Sequence, residues 1–138
     1  MLHVEIITPD ETVYEGQAAS ITLQTTEGEI TVLPGHIPLM TTLLPGVAMV
    51  RIEGKEEFFA LSGGVVEVDG KTVRVLAQTA DRAEGLEESA IEQAKARAEK
   101  VVAEKRSDAE GFAEATAILD RELAKLRTVR RSRARRVR

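Results

Sequence analysis

The 138-residue chain contains no cysteine, so it can form neither a disulfide nor a thiolate metal site, and it has no thiol nucleophile. Aromatic residues are also scarce: there is no tryptophan, and the four aromatics are Tyr14, Phe58, Phe59 and Phe112. Proteins that bind single-stranded nucleic acid normally interleave aromatic and basic residues, and this chain does not. No stretch approaches the roughly 18 consecutive apolar residues of a membrane span, and the N-terminus lacks the features of a signal peptide.

The common motifs of catalytic and phosphate-binding sites are missing too. There is neither a G-x-x-x-x-G-K-[ST] nor a G-x-G-x-x-G loop, and no serine lies in a G-x-S-x-G turn. The two histidines, His3 and His36, lie in different segments, with no second ligand at metal-like spacing near either. We therefore predict no catalytic residue and no metal site, and we do not expect the chain by itself to be an enzyme. The alternative to the absence of a metal site is a His–carboxylate site that is assembled only by folding.

Basic residues are concentrated at the C-terminus. The chain has a net charge of −4, from 19 Lys and Arg against 23 Asp and Glu. Seven arginines stand in the last twelve residues, RTVRRSRARRVR, so residues 1–126 have a net charge of −11. Such a tail is typical of an arm that binds nucleic acid or another anion, but the acidic body would repel a polyanion. Two other interpretations are a disordered, solvated end and a contact surface for an acidic protein partner.

Residues 2–77 have the pattern of a β-structure. Short runs rich in β-branched residues alternate with turn residues, and all four prolines and nine of the ten glycines precede residue 86. Strands are predicted at 2–7, 21–24, 29–33, 47–52, 57–61, 65–68 and 72–76. The Asp69-Gly70 pair between the last two is a strong hairpin signal. Many short strands at close spacing predict a sandwich or flattened barrel.

From residue 86 onward the apolar residues recur at helical spacing. The predicted apolar faces are Ile91, Ala94, Ala98 and Val101 in a first helix, and Phe112, Ala115, Leu119, Leu123 and Leu126 in a second. Ser107-Asp108-Ala109-Glu110 matches a capping box at the start of the second helix. The first helix offers mainly alanine and valine, which bury little apolar area. We therefore expect an antiparallel helical hairpin that is only marginally held closed.

A turn-dense segment, Pro34-Gly35-His36-Ile37-Pro38, interrupts the strands and is followed by several leucines. One interpretation is a strand crossover whose leucines fill the core. The other is a stiff, exposed docking loop, because prolines reduce the entropy that is lost on binding. The residues alone support both interpretations equally.

The same segment resembles a known family. The string T-x-x-G-x-x-x-V-L-P-G-H-x-P-L, from Thr25 to Leu39, is similar to the signature of the epsilon subunit of the F-type, proton-translocating rotary ATP synthase. The stretches ITPDETVYEG, LSGGVVEV and LAQTADRAE extend the resemblance over essentially the whole chain, in order. It implies an N-terminal flattened β-sandwich or barrel of about ten strands, residues 1–84, followed by a C-terminal antiparallel helical hairpin, residues 85–138.

The resemblance also implies a role. The family's epsilon subunit is a non-catalytic part of the central stalk that links the gamma subunit to the ring of c subunits and turns with them. Its sandwich supplies those contacts, and Pro34, Gly35, His36 and Pro38 would lie in the gamma-facing region. Its hairpin either folds compactly or extends toward the alpha/beta subunits and inhibits ATP hydrolysis. The expected location is the cytoplasmic face of a bacterial cell membrane, as a peripheral part of the complex that makes ATP and transports hydrogen ions.

In some relatives the folded hairpin binds ATP, which favours the non-inhibitory state. By resemblance, the candidate residues here are Asp81, Glu87, Arg97, Arg121 and Lys125. The chain departs from the family's I/L-D-x-x-R-A pattern, because Ala90 stands where its arginine belongs, and a fixed cationic donor is missing. Regulatory ATP is thus the one candidate cofactor. The alternative is that these charges form the solvated face of a helix.

In the family, the extended C-terminal helix meets an acidic segment of the beta subunit. If the tail continues the second helix, Arg127, Arg131, Arg135 and Arg138 share one face, and the remaining arginines widen the basic strip. We expect these four arginines to make the inhibitory contact, with a strength that falls as salt rises. The alternatives are a frayed, solubilising end and a free-standing module that binds nucleic acid or another anion.

Overall fold

The computed structural model describes the backbone of residues 1–137 and the side chains of residues 1–134. In this part of the chain, ten strands are followed by a short 3-10 helix, Ala83–Gly85, and two α-helices. The strands are β1 (Leu2–Ile7), β2 (Thr12–Ala18), β3 (Ser20–Thr25), β4 (Gly28–Val32), β5 (Leu39–Leu43), β6 (Gly46–Ile52), β7 (Lys55–Leu61), β8 (Gly64–Val68), β9 (Thr72–Ala77) and β10 (Ala80–Arg82). The helices are α1 (Glu88–Glu104) and α2 (Ala109–Val137).

The strands form one sheet that folds over on itself into a flattened, nearly closed barrel. Their order is β10-β7-β6-β3-β5-β8-β9-β1-β2, with β4 paired to β3, and the β1–β9 pair is parallel while the others are antiparallel. In β1, the fully buried Leu2, Val4 and Ile6 alternate with less buried residues, because successive side chains point to opposite faces. The predicted fold, a sandwich or flattened barrel of about ten strands, is confirmed.

The seven strands that the sequence pattern predicts are present, with ends that differ by a few residues. The pattern gives no sign of β2, β5 and β10. The first is a largely exposed edge strand, the second is half-exposed and the third has three residues. The hairpin at Asp69-Gly70 is confirmed, since it joins β8 to β9 and Gly70 has a φ of 95°. The Asp69 carboxylate accepts hydrogen bonds from the backbone N–H groups of Lys71 and Thr72.

Both predicted helices are present. Where the two helices meet, however, the predicted start of the second helix and the predicted burial of two side chains are wrong. The carbonyl of Asp108 accepts the first hydrogen bond of α2, from the Phe112 N–H at 2.8 Å, so Asp108 and not Ser107 immediately precedes the helix. Val101 and Phe112 are 42% and 38% exposed instead of buried. In the part of the chain that the structure describes, α1 packs mainly against α2, and a helix face becomes buried only where another element packs against it.

The other end of the hairpin lies against the outside of the sandwich. α2 packs on β6 and β7, whose outward-facing side chains Val47, Met49 and Phe58 are buried. A second small cluster joins Ile91 of α1 to Leu126 and Val129 of α2. The structure therefore has the compact arrangement, in which both helices are folded back beside the sandwich.

Candidate functional site

A two-bond ion pair connects α2 to the last strand of the sandwich. Arg121 donates from Nε and Nη2 to the two carboxylate oxygens of Asp81, at 3.2 and 3.1 Å. The hydrogen bond to Asp81 raises the pKa of Arg121, so the guanidinium stays charged. A paired geometry of this kind fixes direction as well as distance. Two residues of the predicted nucleotide site are thus brought together, but as partners of each other.

The remaining residues of that predicted site do not converge on an open pocket. Lys125 Nζ lies 3.3 Å from a carboxylate oxygen of Glu122, and both side chains are largely buried. Glu87 accepts a hydrogen bond from Ser89 at 3.3 Å, and Arg97 is exposed on α1. The sequence analysis missed Glu122, whose only signal is its position three residues before Lys125 on a helix.

This arrangement fits a nucleotide triphosphate poorly. Two of the three candidate cations, Arg121 and Lys125, already face carboxylates, and Ala90 has no donor to offer. A polyphosphate would have to displace those carboxylates or lie beside them, and like charges at close range repel. The alternative given above, charges on the solvated face of a helix, describes the exposed Arg97 but not Lys125 and Glu122, which are largely buried. ATP binding stays a prediction.

The C-terminal arginines continue α2, which runs to Val137, and they point in two directions. Arg127 donates to the backbone oxygen of Pro45 at 3.4 Å, and Arg131 lies 4.0 Å from the carboxylate of Glu29, so this pair faces the sandwich. Arg130 and Arg133 instead face α1. Of the predicted contact residues, the side chain of Arg135 and all of Arg138 lie outside the described residues.

The first turn of α1 carries the carboxylates that the second pair of arginines contacts. Glu88 accepts hydrogen bonds from Arg130 at 2.9 Å and from Arg133 at 2.6 Å, and Glu92 accepts one from Arg130 at 2.9 Å. The hydrogen bond from Arg130 is the main reason why the pKa of Glu88 is lowered. The sequence analysis missed both glutamates, because the pairing spans about forty residues and depends on how the hairpin closes.

The segment around His36 is fixed by its backbone and exposes its side chains. Gly35, with a φ of 84°, donates its N–H to the carbonyl of Gly70 at 2.8 Å, and His36 Nδ1 lies 2.7 Å from the carbonyl oxygen of Ile37. Pro34 and Pro38 are exposed. We call the four large, exposed apolar side chains of this segment the loop surface: Leu33, Ile37, Met40 and Leu44, which are 46–74% exposed.

Each sequence interpretation of this segment describes part of it. Leu43 is buried in the core and Leu39 packs against it, as a strand crossover requires. The loop surface leaves its apolar side chains in solvent, as a docking loop requires. Alternation within β5 separates the two roles, because odd-numbered residues point inward there.

A cluster of charged residues surrounds His3 on the outer face of β1 and β2. His3 Nε2 lies 3.3 Å from Glu5 and 3.5 Å from Glu15, so folding brings two carboxylates to His3, which is the arrangement that the sequence analysis left as the alternative. Glu5 is two residues away on the same strand face, and Glu15 lies across the strand pair. Arg74 donates to the other oxygen of Glu5 at 3.2 Å and lowers its pKa. These contacts account for the cluster.

Among the described residues, neither helix is long and apolar enough to cross a membrane.

Residues 1–83 match the family model described as the β-sandwich domain of the ATP synthase delta/epsilon chain. Similar curated proteins include two ATP synthase epsilon chains. The one from Alkalilimnicola ehrlichii is 40% identical over 135 residues, which are 97% of this chain and 96% of the relative. The one from Psychrobacter arcticus is 42% identical over 131 residues, which are 94% of each protein.

Solved assemblies contain chains of the same fold. One is from the Euglena gracilis mitochondrial ATP synthase, OSCP/F1/c-ring in rotational state 1, with a TM-score of 0.72, 25% identity, and coverage of 86% of this chain and 75% of that chain. Another is from the central stalk and c-ring of the Tetrahymena thermophila mitochondrial ATP synthase, with a TM-score of 0.50 and 19% identity over 60% of this chain and 67% of that one. The sequence matches confirm the resemblance. The chain therefore belongs to the ATP synthase epsilon subunits, a family of central-stalk subunits.

Proposed function

We propose that this chain couples rotation of gamma and the c-ring to ATP synthesis and restrains ATP hydrolysis through its C-terminal helices. In this proposal its partners are the gamma subunit, the c-ring and the alpha/beta subunits, and the chain itself is non-catalytic. It lies at the cytoplasmic face of the cell membrane only as part of this complex.

One observation carries the regulatory part of the proposal: the sandwich core is complete without the hairpin. The buried residues of the core all come from the strands. α2 covers only a small outer cluster on β6 and β7, formed by Val47, Met49 and Phe58. Because the stabilisation from burial scales with apolar area, detaching the helices costs far less than opening the core. A helical pair held in this way can leave the sandwich and contact other subunits.

The loop surface supports the coupling part of the proposal. It places four large apolar side chains in solvent within a twelve-residue stretch. Exposed apolar groups gathered in this way are typical of a protein contact surface. The backbone hydrogen bond from Gly35 to the β8–β9 hairpin holds the segment in place, so little entropy is lost when a partner binds.

Truncation after residue 84 tests the regulatory part. The shortened chain should remain folded and assemble with gamma and the c-ring, and the complex should hydrolyse ATP faster than the complex with the full chain. An assembled complex whose hydrolysis rate is unchanged by the truncation would argue against the inhibitory role. The matched control is a full-length chain carrying Glu99→Gln, an exposed substitution on α1 outside the contact with α2.

Binding of regulatory ATP has less support in this chain than the coupling and inhibitory roles. Asp81 and Glu122 already neutralise two of the predicted cations, so we expect calorimetric titration of the isolated chain with MgATP to show weak binding or none. The nucleic-acid alternative gains no support, because Arg130 and Arg133 are neutralised within the chain.

A further inference from the structure

The outer face of β1 and β2 brings three metal-binding side chains together. His3 and Glu5 are two residues apart on β1 and therefore point the same way, and Glu15 is the residue of β2 directly opposite Glu5. One atom from each side chain, an imidazole nitrogen or a carboxylate oxygen, lies within 4.8 Å of the other two. Folding thus assembles one nitrogen and two oxygen donors from two strands.

The contacts that hold this cluster together leave room for an ion between its members. His3 Nε2 lies 3.3 Å from Glu5 and 3.5 Å from Glu15. A charge-assisted N–H···O bond is shorter, at about 2.7–2.9 Å, and one ring nitrogen has a single hydrogen to offer two carboxylates. Zinc bonds of about 2.0–2.2 Å at tetrahedral angles place neighbouring ligand atoms about 3.3–3.5 Å apart. The two measured separations are therefore those of ligand atoms around one zinc ion.

Neighbouring side chains orient two of the three ligands. Arg74 donates to one oxygen of Glu5 at 3.2 Å, and the other oxygen faces His3. The side-chain amide of Gln17 lies 3.4 Å from His3 Nδ1. When the amide oxygen is the atom turned toward the ring, it accepts a hydrogen bond from Nδ1–H, and Nε2 then presents a lone pair to a metal. Histidines and carboxylates that bind metals are commonly oriented by partners of this kind.

The charge and exposure of the cluster also suit a dication. Arg74 is shared with Glu67 on β8, whose carboxylate lies 3.9 Å away. Three carboxylates against one guanidinium leave a net charge of −2 beside a neutral imidazole. The side chains of His3, Glu5 and Glu15 are 31%, 19% and 58% exposed. An ion can therefore enter from solvent and keep a water molecule as its fourth ligand.

We propose that His3, Glu5 and Glu15 form a binding site for Zn²⁺ that joins β1 to β2 across the outer face of the sandwich. One nitrogen and two oxygen donors favour Zn²⁺ over Mg²⁺ and Ca²⁺, which prefer oxygen ligands alone and a larger number of them. β2 is the last strand of the sheet and pairs with β1, so the ion ties an edge strand to its neighbour. The proposed function gives these three residues no role.

The test titrates the untagged, full-length chain with Zn²⁺ by calorimetry, and with Co²⁺ by visible absorption, whose intensity reports tetrahedral coordination. Two variants each remove one ligand, His3→Gln and Glu15→Gln. Each has a matched control that removes the same group elsewhere: His36→Gln in the segment after β4, and Glu53→Gln at an exposed position in the turn between β6 and β7. A parallel titration uses Mg²⁺ in place of Zn²⁺.

We expect the wild type and both controls to bind one Zn²⁺ per chain and to show no comparable binding of Mg²⁺. His3→Gln and Glu15→Gln should each weaken Zn²⁺ binding at least about tenfold. In NMR spectra, Zn²⁺ should shift the ring signals of His3 and leave those of His36 unchanged. It should also slow amide exchange in β2 more than in β7, because the ion binds the folded edge strand.

The proposal is overturned if the wild type binds no Zn²⁺, or if Glu15→Gln binds it as tightly as Glu53→Gln. The second result would mean adventitious binding to other carboxylates of the acidic surface. Circular dichroism verifies that each variant keeps its fold, and Glu15→Gln decides the question if His3→Gln does not. Every measurement uses the isolated chain and none uses ATP hydrolysis, so the outcome is independent of the proposed function.

Discussion

At the scale of single residues, guanidinium groups join the compact hairpin to itself and to the sandwich. Arg121 binds Asp81 on β10, Arg127 binds the backbone at Pro45, and Arg130 binds α1. The groups in each bond are exposed or partly buried. At such positions a charge-assisted hydrogen bond fixes the orientation of the helix more than it stabilises the fold. The hairpin is therefore well positioned but weakly held, as its proposed release from the sandwich requires.

Acid should weaken the fold through specific carboxyl groups. Hydrogen bonds from Arg74 and Arg130 lower the pKa values of Glu5 and Glu88, and backbone N–H groups lower that of Asp69. A carboxyl whose pKa is lower in the folded state binds protons more strongly when unfolded, so its contribution is present at neutral pH and lost on acidification. We expect these carboxyl groups to leave the midpoint urea concentration of unfolding unchanged between pH 6 and 8. When the pH is lowered below about 4, the midpoint urea concentration should decrease. A midpoint that stays constant down to pH 3 would contradict this account.

Gly64 should be irreplaceable in the sandwich for a steric reason. A Cβ atom there would overlap the carbonyl oxygen of Leu76 and lie 2.9 Å from the Cα of Ala77 on the paired strand β9. Backbone atoms cannot move away as a side chain can, so we expect Gly64→Ala to lower the free energy of unfolding by about 1–3 kcal/mol or more.

Gly85→Ala is the matched control for that substitution, because a Cβ atom at Gly85 has no neighbour within 4 Å. Its free energy of unfolding should stay within about 0.5 kcal/mol of the wild type. Urea denaturation followed on the sandwich measures both variants. If the two substitutions lowered the free energy of unfolding equally, the close contact of Gly64 with β9 would not be the reason why glycine is needed there.

The sequence identifies individual residues of the candidate site better than it identifies their partners. Asp81 and Arg121 are indicated by the family resemblance, yet nothing in the sequence indicates that they bind each other, because forty residues separate them. Glu88 and Glu92 were missed for the same reason, and Glu5 and Glu15 beside His3 were missed because their approach depends on strand geometry. Such contacts depend on tertiary packing and, in β1 and β2, on the register of the strands.

At the scale of elements, the local sequence pattern predicts the strands and helices that have one buried face. It fails for strands and helix ends that are partly exposed. The strands with clear alternation and both helices are predicted correctly. β2 and β5 are missed because they are partly exposed, and the burial of Val101 and Phe112 is predicted wrongly because no third element covers the end of the hairpin where they lie. Periodicity identifies a face of a helix, but burial of that face requires something to pack against it.

The loop surface should matter for binding gamma and not for folding. Ile37 and Met40 are 74% and 67% exposed, so Ile37→Gln/Met40→Gln should change the free energy of unfolding by less than about 0.5 kcal/mol. If gamma covers both side chains, the lost apolar contact should weaken binding at least about tenfold. Isothermal titration of gamma with each variant measures the effect. The control is Ile118→Gln, which removes a 57% exposed apolar side chain from α2, and equal affinities of the two variants would argue against the docking role.

At the scale of the whole molecule, the chain divides the two parts of its proposed role between two structures of different stability. The sandwich has a closed core built from strand residues and presents a fixed loop surface. The hairpin has one small apolar cluster of its own, covers another on β6 and β7, and makes exposed ion pairs. Composition already indicates this division, because all four prolines and nine of the ten glycines precede residue 86, while seven arginines lie in the last twelve residues. The compact arrangement of the hairpin could not be predicted, since it depends on weak contacts between distant segments.

The central claim is that the hairpin restrains ATP hydrolysis through its basic tail, and it is tested most directly by the hydrolysis rate of the assembled complex at low salt. The complex is compared with one in which the seven arginines from Arg127 to Arg138 are replaced by alanine. Because the contact is electrostatic, the account predicts a hydrolysis rate that rises toward that of the complex truncated after residue 84, and a smaller difference at high salt. A substituted complex that hydrolyses ATP at the wild-type rate at low salt would contradict the claim.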